Sequence, residues 1–280
     1  MAATVVPVST QFVIANSVLI ATQAALVALP GRGIPHRLAR LAGTGWSLVL
    51  PLSIAVVVAA IAADPATADG LTWLALVAVP PLAAAALGWA GRGARAPYAL
   101  LVVPLFAVAV LDAGLAGDAC AAALTALSCV TLGRLLAGAA PAVALKAGIV
   151  AMAAIDAVLV FGNQLQAPNA VLNAAAPARG LPQLQFLDLQ HASMGYGDVF
   201  VAAVLGATLA AQGRRTAPVA LLVLGFSIVW DALFFTVTTV PATVPVALAL
   251  LAAEAHRRLT ARAAARSETP DGRFAPSTGG

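Results

Sequence analysis

The run Met194-Gly195-Tyr196-Gly197-Asp198-Val199-Phe200 sets a glycine-flanked carboxylate inside an apolar stretch, 190–211, that is long enough to be a membrane helix. Placing a charged side chain at bilayer depth costs roughly 3 kcal/mol or more, so such acids face a partner and mark a functional pathway. A second acid, Asp156, lies in the preceding apolar stretch, 143–161. Two acids on neighbouring membrane helices point to hydrolysis by paired carboxyls inside the bilayer.

Composition supports reading these stretches as membrane helices. Hydrophobic residues make up 61% of the chain and charged ones only 9%, which excludes a soluble globular domain of this length. The formal charge of +4 does not point to nucleic acid, because the basic residues lie in short loops and in the C-terminal tail. The two cysteines, Cys120 and Cys129, share one apolar segment and form neither a disulfide framework nor a metal-ligand spacing. No metal and no cofactor is expected. The first apolar run lacks a basic leader and is long enough to span, so it reads as a helix rather than a cleaved signal. Abundant alanine and arginine with a single lysine suggest a GC-rich, bacterial source and hence the plasma membrane.

A spanning helix needs about 20 mostly apolar residues. Turn and charge signals cut the chain into nine such stretches, at about 11–29, 45–63, 71–90, 98–115, 120–136, 143–161, 190–211, 218–240 and 243–255. The expected fold is therefore all-α and polytopic, with a membrane domain over 1–256 and a disordered cytoplasmic tail over 257–280. Pro80 and Pro81 should kink the third helix. Of the fifteen Lys and Arg residues, all but Arg179 follow odd-numbered stretches or lie at their junctions. By the positive-inside rule the N-terminus is outside and the C-terminus cytoplasmic. Helix six then climbs as helix seven descends, and at 1.5 Å per residue both acids lie about 9–12 Å deep.

Level acids on antiparallel neighbours can share a proton. One carboxylate takes a proton from the attacking water; the protonated partner supports the oxyanion and passes a proton to the leaving amine. Gly195 and Gly197, lacking side chains, admit a substrate backbone and allow unwinding ahead of Asp198. A lone Gly-x-Gly-Asp is a weak signal, and its context is what strengthens it.

These residues resemble the presenilin and signal peptide peptidase family of GxGD intramembrane aspartyl proteases. Asp156-Ala157-Val158-Leu159-Val160-Phe161-Gly162 is similar to the family's first motif, and Met194-Gly195-Tyr196-Gly197-Asp198 to its second. Pro241-Ala242-Thr243-Val244-Pro245 resembles its Pro-Ala-Leu element, which lies against the catalytic pair. The resemblance implies a presenilin-like fold, catalysis by Asp156 and Asp198, and a substrate-facing role for Gly195, Tyr196, Gly197, Pro241, Ala242 and Pro245. The implied substrates are transmembrane helices or signal peptides drawn from the lipid bilayer. The chain departs from the family at Ile155, where a Tyr is usual, and at Thr243, where the element has Leu.

Two other functions fit the same residues. Type IV prepilin peptidases carry a similar Gly-Tyr-Gly-Asp-Val, and Ala167-Pro168-Asn169 is similar to their Pro-Asn element; against them, the loop after Asp156 falls outside by charge and the chain has no cytoplasmic Cys-x-x-Cys domain. An ion- or proton-coupled transporter would use Asp112 and Asp231, which also lie in apolar stretches, as relay acids. The bland alternatives are that Asp231 pairs with a polar neighbour, that His191 caps a helix at the interface and that Tyr196 packs. The segment 184–189 alternates weakly and suits either a strand that pairs with unwound substrate or a short amphipathic turn.

Overall fold

Helix α1 (Thr10–Ala28) starts where the Ser9 side chain accepts a hydrogen bond from the Phe12 amide at 3.1 Å, the usual way to satisfy a first-turn N–H. In the computed structural model, residues 9–31, 43–235, 237 and 239–267 are described. After α1 come a 3₁₀ turn (Thr44–Leu48) leading into α2 (Val49–Ala63), then α3 (Ala66–Ala85) with a π-helical end (Ala86–Ala90). A 3₁₀ segment (Ala96–Leu101) opens α4 (Val102–Leu111), followed by α5 (Leu115–Ala139), α6 (Ala142–Phe161) and a short α7 (Gln166–Ala174). Two three-residue strands, β1 (Phe186–Asp188) and β2 (Ser193–Gly195), precede α8 (Tyr196–Ala211). The chain continues through α9 (Ala217–Trp230), a 3₁₀ turn (Asp231–Phe235) and α10 (Thr243–Ser267).

The protein is a predominantly helical membrane protein. Among the described residues six helices are long and apolar enough to cross a bilayer: Thr10–Ala28, Thr44–Ala63, Ala66–Ala90, Leu115–Ala139, Ala142–Phe161 and Ala217–Phe234. Ala96–Leu111 and Tyr196–Ala211 are apolar but shorter, and α10 carries five basic or histidine side chains in its second half. The stretch 190–211 is thus not one helix. Its first six residues belong to the hairpin, where Phe186 pairs with Gly195, Leu187 with Met194 and Asp188 with Ser193. Gln190, with φ 58°, reverses the chain between the strands. So short a hairpin needs a helix beneath it, and buried Leu187 supplies a contact where β1 packs on α5.

Helix α8 is the centre of the molecule, with Val199 and every residue from Val201 to Ala210 buried. It packs on α5, α1, α10 and α6. Lipid offers no hydrophobic drive between helices, so close van der Waals packing through small residues has to hold them. A Cβ on Gly133 of α5 would come within 2.8 Å of the Ala203 backbone, and one on Gly206 would overlap the Val27 carbonyl of α1. Both contacts require glycine.

Helix α3 runs through Pro80 and Pro81, which remove two backbone donors, and ends in the π-helical turn Ala86–Ala90. Thr131 of α5 donates to Leu82 O, 2.7 Å away. The tail expected from residue 257 is helical as far as Ser267, because its Ala- and Arg-rich sequence favours helix continuation; residues 268–280 lie outside the described residues.

One ionic cluster ties three helices together. Glu254 of α10 accepts from Lys146 of α6 at 2.9 Å, from Arg214 in the turn after α8, and from Arg257 at 2.9 Å.

Candidate functional site

The buried face of α6 reads Leu145, Ile149, Met152, Asp156, a spacing of four, three and four that keeps one stripe turned inward. Asp156 therefore occupies a core position, only 4% exposed. It stands five residues before the end of its helix, about 7–8 Å along the axis.

Asp198 is the third residue of α8, with Gly195 as the extended N-cap. The Asp198 carboxyl turns back towards Gly195 across this first turn. A Cβ at Gly195 would sit 3.1 Å from Asp198 Oδ2, and a Cβ at Gly197 would sit 3.1 Å from Met152 Cε. The two glycines thus act on the acids themselves. Gly195 leaves room for the carboxyl to fold back, and Gly197 lets α8 lie against α6 one turn from Asp156. Asp156 and Asp198 end close enough to act on each other electrostatically. Neither makes an ion pair among the described residues.

The depth expected for Asp198 changes with the helix boundary. It lies in the first turn after the hairpin rather than eight residues into a helix, so the acids meet near one end of the helical layer.

The start of α10 closes the site. Pro241, Thr243 and Pro245 are buried and Ala242 is half-buried. Thr243 donates to Asp156 through Oγ1 to Oδ2 at 2.5 Å. The residue at which the chain departs from Pro-Ala-Leu is the one that touches an acid. Gln23 of α1, fully buried, donates through Nε2 to the carbonyl of Asp198 at 3.1 Å and to that of Ala242 at 2.9 Å. One amide therefore joins the backbones that carry Asp198 and Thr243.

Sequence reading missed Gln23, although a signal was present. Asn16 and Gln23 are seven residues apart on an apolar helix and so share a face. Both bond inward: Asn16 Nδ2 donates to Asp231 Oδ2 at 2.6 Å. Asp231 is thereby matched at the end of α9, away from the pair's hydrogen bonds. Asp112 lies in the turn after α4, not inside a span, and caps the next helix by accepting from the N–H groups of Gly114 and Gly117 at 3.2 and 3.0 Å. Tyr196 reaches Ser128 of α5 through its hydroxyl, 2.8 Å, and anchors the start of α8 beside buried Cys129. His191 is exposed in the hairpin turn, and Pro168 and Asn169 lie in α7. Among the described residues no group of three or more His, Cys, Asp or Glu side chains could hold a metal ion.

Comparison of the chain with models of protein families, with curated proteins and with solved structures finds no match.

Proposed function

We propose that the protein is an intramembrane aspartyl peptidase in which Asp156 and Asp198 activate water against a peptide bond of a transmembrane helix or signal peptide. The observation that supports this reading is the pair itself: two acids from antiparallel helices, within electrostatic reach, without a cation to neutralise them. Glu254, by contrast, gathers three cations. The paired acids have no counter-charge among the described residues, an arrangement that proton transfer in both directions would use. Strand β2 runs directly into α8, so an unwound substrate segment laid beside it would meet Asp198 next. Nine crossings, with the N-terminus outside and the C-terminus inside, complete this reading as a presenilin- or signal peptide peptidase-like GxGD protease of the bacterial plasma membrane.

One observation favours a second reading, a prepilin-peptidase-like enzyme. Asp198 sits in the first turn of its helix, a position suited to a bond at the membrane boundary. Topology separates the two. A cysteine replacing Asn173 reacts with an impermeant thiol reagent from outside in the first reading and only from the cytoplasm in the second.

The decisive experiment is incubation of the purified protein in detergent with a helical transmembrane peptide, with and without a transition-state-mimicking inhibitor of aspartyl proteases. Inhibitor-sensitive cleavage is the expected outcome. A peptide left intact under all conditions, with the protein shown to be folded, rejects the peptidase reading.

A further inference from the structure

The two acids are not equivalent. Among the described residues Asp156 accepts a hydrogen bond from the hydroxyl of Thr243, the first residue of α10, at 2.5 Å, and the Asp198 carboxyl accepts none. The donor favours the ionised form of the carboxyl it touches, and a hydrogen bond to a charged group is among the stronger kinds in proteins. Thr243 does not stand there loosely. Its neighbour Ala242 is held by Gln23, which also holds the backbone of Asp198, so the donor to one acid is fixed in register with the other acid.

We infer that Thr243 is a positioning residue that holds Asp156 as the carboxylate and leaves the shared proton on Asp198. Asp156 is then the base that takes a proton from water. Asp198 is the acid that supports the oxyanion and protonates the leaving amine. The water proton ends on Asp156 and the Asp198 proton on the amine nitrogen; transfer from Asp156 to Asp198 restores the starting state. The facing groups are few: Asp198 from α8 and Thr243 from α10 meet Asp156, and no Lys, Arg or His forms an ion pair with either acid among the described residues. This assignment rests on the paired-acid reading above, but its test needs no turnover.

A carboxylate opens an epoxide, its oxygen attacking a ring carbon as that carbon's bond to the ring oxygen breaks, and the released oxygen takes a proton from water to give a hydroxyalkyl ester. A protonated carboxyl instead gives its proton to a diazo ester, which loses dinitrogen as the new ester bond forms. The full chain in detergent at neutral pH is treated in parallel with glycidol and with ethyl diazoacetate, and the esters are located by peptide mass mapping. Glycidol is expected at Asp156 over Asp198 by about tenfold or more, the factor that one hydrogen bond to a charged group supplies, and the diazo ester is expected at Asp198. Thr243→Ser keeps the hydroxyl donor and should keep the pattern. Thr243→Val removes the hydroxyl and should reduce the preference to less than about threefold. Glycidol at Asp198, equal labelling, labelling of neither acid, or an unchanged preference in Thr243→Val overturns the assignment. If Thr243→Val does not fold, the wild-type and Thr243→Ser maps still decide it. A chain that passes this test but cuts no peptide retains the assignment and loses the peptidase; one that cuts peptide with the labels reversed does the opposite.

Discussion

Helices α6, α8 and α10 meet twice, and the two meetings are built from opposite chemistry. At one, Glu254 gathers Lys146, Arg214 and Arg257, three cations around one carboxylate. At the other, ten residues along α6 and eleven back along α10, roughly 15 Å away, Asp156 and Asp198 meet with the Thr243 hydroxyl as donor and no cation among the described residues. The same three helices thus carry a closed ionic clasp and an open pair of acids. The cluster ties the helices together. An acid pair without a counter-charge is costly in a bilayer, and the proposed hydrolysis would give it a use. The clasp fixes the helices at one end while the acids are held in register at the other by Thr243 and Gln23.

The sharpest way to break this contrast is to remove one acid. Asp156→Asn and Asp198→Asn should each lower kcat for peptide cleavage by about 10³-fold or more, since each proton transfer loses its carrier, with the folded protein retained in size-exclusion chromatography. A single mutant that stays active would mean that the pair is not the catalytic unit.

At the junction between the two acids, Gln23→Leu leaves the carbonyls of Asp198 and Ala242 without their donor. A loss of about 2–4 kcal/mol in stability is expected, read by thermal unfolding in detergent, together with a fall in kcat larger than any change in KM. An unchanged kcat would remove Gln23 from the positioning scheme.

The clasp should behave in the opposite way. Glu254→Gln leaves three cations sharing a neutral amide and should cost about 1–3 kcal/mol in unfolding, while kcat measured well below the midpoint changes less than about twofold. A large fall in kcat without loss of stability would mean that the clasp end is coupled to the chemistry. The smallest effect belongs to Asp231→Asn, which keeps a polar partner for Asn16 and should retain most of the activity. If it is as damaging as loss of Asp156, the transporter-like relay of acids gains ground.

Much of this was legible from local sequence. The stripe Leu145, Ile149, Met152, Asp156 places an acid on a core face by periodicity alone, and the glycines around Asp198 advertise close backbone approach. The hairpin was harder to read, because three-residue strands carry almost no periodic signal and an apolar run such as 190–211 suits a helix equally well. Gln190 at positive φ, which turns the chain, is not a residue that announces a turn.

Composition and hydropathy decide by themselves that this chain is a helical membrane protein, because the cost of placing residues in lipid is summed over contiguous windows and needs no knowledge of neighbours. The partners are decided only by the fold. Thr243 lies 87 residues from Asp156, and Gln23 lies 175 and 219 residues from the carbonyls it joins. No local pattern specifies such pairings. They arise because a buried polar group in a lipid-embedded bundle must find its donors or acceptors on whichever helix the packing brings beside it, and here that packing is set by glycines that let α8 reach α1, α5 and α6 at once.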